Sequence, residues 1–311
     1  MSGRKGNYFW RETLLTPSKI FKPNYTLAAL ALCCTVITAE AYAGAIRSNP
    51  DFLTSTLSPN DDSSTGFVPF GFSVNFFGNT RDGGYINNNG NLTMDNALST
   101  FTPFNLVTTG NEILAPFFGD VDTRSAGSPV TYGQGEIGGQ AAFGVNWLDV
   151  DYFSSNAAHD NFNSFQLVMI DRSDINAGDF DFEFNYDQIQ WESGTASGGD
   201  ANGRNGSCAR AGWSNGSSNS FELEGSGVCG SFLDSGFPSV TPGPLSLFNH
   251  ELDSLLAIDS NGLTTDGRYV FQVRNGSVLP PSIVPEPGSM ALLGIGIVGL
   301  MGFHRRKRLK G

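Results

Sequence analysis

Lysine is absent from the whole interior of this 311-residue sequence, and charged residues of both signs make up only 15% of it. Between residues 44 and 284 the chain carries eight Arg against 27 Asp and Glu, so this segment has a formal charge of −19. Nucleic-acid-binding domains need Lys and Arg to neutralise phosphates. We therefore expect no nucleic-acid partner, and we expect the acidic interior to repel anionic surfaces.

The basic residues that the interior lacks are concentrated at the two ends. At the N-terminus, two lysines precede an apolar run over residues 27–39, and Ala41 and Ala43 then form a small-x-small cleavage pattern before Gly44. This order predicts a secretory signal peptide with its helix over residues 1–43. The alternative is a buried N-terminal helix, but a core helix rarely carries charge only on its upstream side.

The C-terminus has a three-part layout. Pro285, Glu286 and Pro287 are followed by an apolar run over residues 289–303 and then by a basic tail over residues 304–311. As a helix the run would be about 22 Å long, shorter than the roughly 30 Å hydrocarbon core of a bilayer. It predicts a short transmembrane helix. The basic tail after this helix stays in the cytoplasm, and the acidic segment of the chain before it faces outward.

This tail resembles the PEP-CTERM sorting signal of Gram-negative bacteria that make exopolysaccharide, with Pro285, Glu286 and Pro287 matching the namesake motif. The resemblance implies recognition by an exosortase-type membrane protease, a precursor held transiently in the inner membrane, and removal of the tail. It also implies delivery to the cell surface or extracellular matrix. An ordinary C-terminal membrane anchor is the alternative.

Cysteine is scarce once the leader is removed. Cys33 and Cys34 lie in the leader's apolar run, so only Cys208 and Cys229 remain in the mature chain. Two cysteines in an exported domain predict one disulfide. A zinc site is not indicated, because the sequence has no Cys-x-x-Cys pair and no His near these cysteines.

Long helical patterns are also scarce, whereas the chain contains 25 Phe and 39 Gly. Short apolar runs separated by Gly, Asn, Asp and Ser clusters predict strands at 72–77, 112–118, 143–153, 164–171, 180–186, 220–223 and 268–274. Many short strands at this spacing are typical of an all-β, antiparallel β-sandwich. The segments 194–207 and 234–246 read as loops, and one helix is expected near 248–258.

The run over residues 180–186 shows the clearest strand pattern. Its aromatic residues alternate strictly with Asp, Glu and Asn, so one face of the strand is aromatic and the other carries charge. The phase then shifts, which predicts a bulge near Asp187. The dipeptides Asp82-Gly83, Asn89-Gly90, Asn215-Gly216 and Asp266-Gly267 fit hairpin connections.

These features divide the chain into five segments. They are a signal peptide over 1–43, a β-sandwich domain over 44–280 with its core motifs at 67–233, a Pro-rich linker over 281–288, a transmembrane helix over 289–303 and a basic tail over 304–311.

One pattern invites a catalytic interpretation. Residues 212–216 match the G-x-S-x-G nucleophile elbow, and Asp234 and His250 follow in hydrolase order. An elbow needs a strand–turn–helix setting between parallel βα units. The flanking residues here indicate turns and short strands, so we expect no catalytic residues and no enzyme activity.

Pairs of carboxylates are a second candidate. Asp120 and Asp122, like Asp149 and Asp151, lie two residues apart, which on a strand places each pair on one face. An exposed polar face explains both pairs, and no cofactor is required. Asp120 and Asp122 are weak calcium candidates, because Asp oxygens in an acidic exported domain suit a hard cation. His159 and His250 are expected at the surface.

The interior resembles the NIDO (nidogen-like) extracellular domain. Residues 115–124, APFFGDVDTR, resemble its PFWADVDTR signature, and four further blocks follow in family order at 145–150, 163–168, 184–191 and 211–216. The resemblance implies a matrix or adhesion module without catalytic residues, and it makes residues 212–216 a family turn. Gly119 and the Cys208/Cys229 pair depart from the pattern.

Two functions from different classes follow. The first is an exported, non-enzymatic protein of the cell surface or matrix, associated with exopolysaccharide, biofilm or matrix proteins. The second is a secreted glycan-binding or glycan-hydrolysing protein that uses the carboxylate pairs and exposed tryptophans. Trp147, Trp191 and Trp213 are more simply core residues, since each lies in a strand-like run. A calcium-dependent cohesion module is a third alternative.

Overall fold

A computed structural model describes residues 44–124, 126–154, 159–234 and 267–279. The chain separates into two units, residues 1–42 and 43–311, of which the first lies outside the described residues. Within the described ranges, no helix is long and apolar enough to cross a membrane. The predicted signal helix, the helix near 248–258, the linker, the C-terminal helix and the basic tail all lie outside these ranges.

The described residues form an all-β fold of two antiparallel sheets, as the sequence predicts. The strands are β1 (Ser55–Thr56), β2 (Val68–Phe76), β3 (Asn79–Asn87), β4 (Asn91–Thr93), β5 (Glu112–Phe118), β6 (Val121–Asp122), β7 (Thr131–Ile137), β8 (Gln140–Tyr152), β9 (Asn163–Asp171), β10 (Phe180–Gln188), β11 (Arg210–Asn215), β12 (Ser220–Glu222), β13 (Arg268–Arg274) and β14 (Ser277–Val278).

The strands are ordered β1-β7-β8-β9-β10-β13-β14 in the first sheet, with β6 paired to β8. The second sheet has the order β12-β11-β5-β4-β3-β2. Aromatic rings from the two sheets meet between them: Phe117 of β5 lies 5.2 Å from Phe165 of β9, and Phe70 of β2 lies 5.3 Å from Phe143 of β8. The expected sandwich therefore has an aromatic core.

Each candidate tryptophan belongs to this core. Trp147 and Trp191 have no exposed surface, and Trp213 is 8% exposed. The indole nitrogens of Trp147 and Trp191 donate to the carbonyls of Asn88 and Val150, each at 3.0 Å. Burial with a satisfied N–H is the usual arrangement for Trp in a protein interior. These tryptophans are therefore not available to a glycan.

The predicted bulge near Asp187 is present, because the β9–β10 register shifts between Tyr186 and Gln188. The charged face of β10 differs from a solvent-exposed face, since Asp181 and Glu183 are buried. Their carboxylates are paired with Arg side chains from neighbouring strands and from the N-terminal segment. Both faces of this strand are therefore covered.

Residues 44–57, which we call the N-terminal strap, cover part of the outer face of the first sheet. The backbone N–H of Arg47 donates to Gln166 Oε1 at 3.0 Å, and Gln166 Nε2 donates back to the Arg47 carbonyl at 3.1 Å. The Arg47 guanidinium also pairs with Glu183 at 2.5 Å. The sequence motifs give no role to this segment, so the strap is a finding of the structure.

Glycine makes room for the strap. A Cβ at Gly144 would lie 2.3 Å from the ring of Phe52, and one at Gly133 would lie 2.0 Å from the Asp51 carbonyl oxygen. Phe52 lies in a 3₁₀ turn, Pro50–Leu53, whose first N–H groups are capped by Asn49. Its ring is fully buried. The small residues on β7 and β8 thus leave the space in which this ring packs.

One predicted connection differs from the structure. Asp82-Gly83 lies inside β3 and is not a hairpin turn. The β2–β3 turn is formed by Phe77 and Gly78, both with positive φ (51° and 92°). The sequence Phe-Gly carries no Asn-Gly or Asp-Gly signal, which explains why the position of this turn was predicted wrongly.

Candidate functional site

Five charged residues meet at one corner of the sandwich, which we call the acidic corner: Asp61, Asp62, Asp120, Asp122 and Arg124. β6 brings Asp122 alongside the end of β8, where it is in register with Asp151. One amide bridges the loop that contains Asp61 and β6: Asn88 Nδ2 donates to the carbonyls of Asp61 and Val121, both at 2.6 Å. Residues separated by up to 63 positions thus meet at this corner.

Asp120 is the most deeply buried carboxylate of the corner, with 1% of its surface exposed. Its Oδ2 accepts one long hydrogen bond of 3.3 Å from the Ser197 hydroxyl. Oxygens of Asp61, Asp62 and Asp120 all lie within 4.8 Å of one another. The Oδ1 atom of Asp61 is buried and has no hydrogen-bond partner among the described residues.

Asp122 has a different environment from Asp120. Its carboxylate accepts hydrogen bonds from Arg124 at 2.9 and 2.8 Å. The same guanidinium reaches Asp61 at 2.9 Å. The structure therefore groups Asp120 with Asp61 and Asp62, and it leaves Asp122, the second calcium candidate from the sequence, in an ion pair. Both residues are buried, which contradicts an exposed polar face.

The oxygens of Asp61, Asp62 and Asp120 could ligate a hard cation, since calcium takes carboxylate oxygens. A proton is the other way to relieve repulsion among close carboxylates. Burial, followed by the charges of Asp61 and Asp62, raises the pKa of Asp120 from 3.8 to about 7. Burial, followed by Asp62, raises the pKa of Asp61 from 3.8 to about 6.

These raised pKa values predict that stability falls with rising pH. The folded state holds these protons more tightly than the unfolded chain, so the contribution to folding is fully present below about pH 4 and is lost as the pH rises through about 6 and 7. At pH 8, Asp120→Asn should be more stable than wild type by roughly 1–3 kcal/mol, because an amide carries no charge to bury.

Urea unfolding between pH 4 and pH 8, with a chelator in every buffer, measures this effect. Asp82→Asn is the matched control, since Asp82 is exposed on β3. We expect its stability to follow the wild-type pH dependence. Equal pH profiles for wild type and Asp120→Asn would contradict the assigned role of Asp120.

Asp149 and Asp151, the second carboxylate pair, are separated by a bulge. Asp149 has a positive φ of 53°, is exposed, and accepts from the Ser164 hydroxyl at 3.3 Å. Asp151 is fully buried and lies 2.7 Å from Nδ1 of His159. The His159 ring stacks on Tyr152 at 3.8 Å. His159 was expected at the surface, and this expectation is wrong, because the ring is held between Asp151 and Tyr152.

The G-x-S-x-G residues form no nucleophile elbow. The expectation that residues 212–216 form a turn is also wrong for most of them, because Gly212 and Ser214 lie in β11 (Arg210–Asn215). Ser214 is 1% exposed and in register with Ile113 and Ser220 of the flanking strands. The Asp234 carboxylate accepts from the backbone N–H of Ile189 at 2.5 Å. His250 lies outside the described residues. A buried strand serine of this kind is not presented to a substrate.

The predicted disulfide is present and closes the loop next to β11. Cys208 and Cys229 are bonded, with their Cα atoms 5.2 Å apart. The buried Glu192 carboxylate accepts from the backbone N–H groups of Gly230 and Phe232 nearby. The bond and this carboxylate together hold residues 206–232 against the sandwich.

Sequence reasoning missed Asn88 and Asn89, which organise the acidic corner. Both are 1% exposed. Asn89 Oδ1 accepts from the Val121 N–H, and its Nδ2 donates to Asp62, each at 2.9 Å. The available signal was the run of three Asn before Gly90, which was interpreted only as a turn.

The model of the nidogen-like domain family matches residues 82–137 and 130–275 of this chain. The chain belongs to the nidogen-like domain family. The resemblance seen in the sequence motifs is thereby confirmed. The match begins in β3 and extends to the end of β13, so it includes Asp120 and both cysteines, whereas the N-terminal strap precedes it.

Curated relatives of this nidogen-like protein include alpha-tectorin from three animals. The mouse (Mus musculus) protein is 31% identical over 190 residues, which are 53% of this chain and 8% of the relative. The chicken (Gallus gallus) protein is 31% identical over 218 residues, which are 61% of this chain and 10% of the relative. The chain thus spans about a tenth of the length of these relatives. No solved structure matches.

The PEP-CTERM protein-sorting motif matches residues 284–308. This confirms the second resemblance, and it implies processing by an exosortase, which is a membrane protease. A nidogen-like domain with this motif is an exported protein of the cell surface or extracellular space. Ala41, Ala43 and the Pro285–Pro287 motif lie outside the described residues.

Proposed function

We propose that this nidogen-like protein is a non-enzymatic adhesion module of a Gram-negative bacterium, held in the exopolysaccharide or biofilm matrix of its cell surface. The observation that carries the proposal is the order of the two matches: the nidogen-like body is followed directly by a sorting motif over residues 284–308. A binding domain followed by a sorting signal is the organisation expected of a protein that acts by binding at the place to which it is sorted.

The precursor has processing signals at both ends. Signal peptidase cleaves after Ala43 and leaves the domain, residues 44–280, outside the inner membrane. The apolar run over residues 289–303 holds the precursor there transiently, until the exosortase removes the tail. The charge of −19 on residues 44–284 favours a cationic or neutral partner over an anionic one.

The positions of the candidate catalytic residues support a binding role. Ser214 is buried in a strand, and the Asp234 carboxylate is occupied by a backbone N–H. Asp120 and Asp122 differ in their partners and are both buried, whereas glycosidase chemistry needs two carboxyls that face each other across a cleft. Function then resides in surface contacts rather than in a reacting group.

Deleting residues 284–311 tests the sorting step. We expect the truncated protein to lose surface retention and to appear in the medium. Pro285→Ala/Glu286→Ala/Pro287→Ala is the matched variant, since it leaves the apolar run and the basic tail unchanged. Fractionation should find this variant in the inner membrane with its tail uncleaved. Unchanged surface retention of the deletion would contradict sorting, and normal maturation of the triple variant would contradict recognition of the motif.

A further inference from the structure

A groove runs along the open side of the sandwich, where the edge strands of the two sheets approach each other. It has a volume of about 400 Å³, which is within the range of small-ligand sites. One wall comes from β1 and β7 of the first sheet, and the other comes from β2 of the second. The lining residues used below are Thr54, Ser55, Pro69, Tyr132, Gln134 and Phe143.

The backbone of β2 shapes this groove. The β2–β3 register shifts between Pro69 and Val74, so β2 bulges away from β3. Gly71, with φ +93°, lies in the bulge against Gln134, where an added Cβ would be 3.0 Å from the amide carbon. Gln134 Nε2 donates to the Pro69 carbonyl at 2.9 Å. This contact joins the two sheets and forms one end of the groove.

The groove offers hydrogen-bonding groups that the fold leaves unused. The Tyr132 hydroxyl, the Ser55 hydroxyl and Gln134 Oε1 have no hydrogen-bond partner in the part of the chain that the structure describes. The Tyr132 ring is half-buried, and its centroid lies 6.5 Å from that of Phe143. An aromatic face beside convergent hydroxyl and amide groups matches a pyranose ring, which has apolar C–H faces and equatorial hydroxyls.

Apolar side chains are exposed next to two of the lining segments in sequence. Leu53 and Phe67, each 52% exposed, directly precede the lining segments in sequence. They are two of the six large apolar side chains exposed within the described ranges. The Phe67 ring is held edge-on against Tyr85, with centroids 5.9 Å apart.

Charge selects among saccharides. Every residue that lines the groove is uncharged, although the surrounding segment, residues 44–284, has a formal charge of −19. The negative charge of the domain would repel an anionic polymer, and the groove has no basic side chain to bind it. A cationic ligand would find no carboxylate in the groove. We infer that this groove binds a neutral polysaccharide, with Tyr132 stacking on a sugar ring and Gln134 and Ser55 bonding its hydroxyls.

The inference rests on the proposed function, because it names the class of matrix ligand that the exported module contacts. The test is affinity electrophoresis of the exported chain in gels that contain dextran, galactomannan or arabinoxylan, with alginate as the anionic probe. We expect at least one neutral polymer, and not alginate, to retard the protein. Tyr132→Ala and Gln134→Ala should each weaken the affinity roughly tenfold.

Two controls keep the test decisive. Val228→Ser alters an exposed apolar residue outside the groove and should bind as wild type does. Gln134 is exposed, so Gln134→Ala reports on binding even where Tyr132→Ala loosens the core. Retardation by none of the neutral polymers, or wild-type affinity in both groove variants, would overturn the inference. Fractionation measures sorting separately. A failure of polysaccharide binding would therefore leave the sorting result unchanged, and a failure of sorting would leave the binding result unchanged.

Discussion

Phe52→Ala should lower the free energy of unfolding by about 3–5 kcal/mol, the usual range for truncating a fully buried Phe. The Phe52 ring is 0% exposed and packs with Ala142, Val168 and Ile170 on the outer face of the first sheet. The Gly144 backbone lies directly beneath it and has no side chain that could fill the cavity left by the substitution. The loss therefore includes both the transfer free energy and the cavity.

The same truncation affects the whole N-terminal strap. The Phe52 carbonyl accepts from Asn146 Nδ2 at 2.8 Å, and this amide is buried under the strap. If the strap loosens, Asn146 and Gln166 also lose their hydrogen bonds to its backbone, which adds to the loss of stability. We expect the midpoint of urea unfolding to fall. The slope of the unfolding free energy against urea concentration should stay unchanged if the strap remains docked.

Leu53→Ala is the matched control for Phe52→Ala. Leu53 is the next residue in the same 3₁₀ turn, but 52% of its surface is exposed. Its truncation should change the unfolding free energy by less than about 0.5 kcal/mol. Equal losses of unfolding free energy in the two variants would show that burial of the Phe52 ring does not hold the strap on the sheet.

Replacing both Cys208 and Cys229 by Ser should lower the free energy of unfolding by about 3 kcal/mol, as expected for a closed loop of this length. The two cysteines are 21 positions apart and tie the segment before β11 to the turn after β12. In the folded state the same region is also held by the Arg210–Glu222 ion pair at 3.0 Å. The native arrangement should therefore persist, and the loss arises chiefly because the unfolded chain gains freedom.

Thermal unfolding of the mature chain with and without reductant measures this effect. Wild type in reductant should unfold at the temperature of the double Ser variant, and that variant should not respond to reductant. A difference below about 0.5 kcal/mol between the oxidised and double Ser forms would contradict a stabilising role for the disulfide.

The sequence predicted those parts of the fold that local patterns encode. β5 and β13 were placed at their observed limits, and the bulge near Asp187 followed from a shift in the alternation of β10. Strands with glycine and polar residues, such as β3 and β7, were missed, because glycines and polar residues interrupt the few β-branched and aromatic residues that they contain.

The acidic corner could be predicted only in part. The spacing of Asp120 and Asp122 singled them out, but the pairing of Asp120 with Asp61 depends on a contact across about 60 positions. Asn88 mediates that contact through backbone carbonyls, which any sequence offers. A periodic pattern along one strand cannot reveal which distant loop will dock beside it.

By itself the sequence determined the family, the sorting motif at the C-terminal end, the β-rich class and the pair of cysteines that forms the disulfide, because each is encoded in local sequence patterns. Only the tertiary structure decided which carboxylates lie close together, that the N-terminal strap covers Gly144, and that an uncharged groove lies between β2 and β7. These features arise where chain segments distant in sequence are packed together, and burial there sets both the pKa values and the available space.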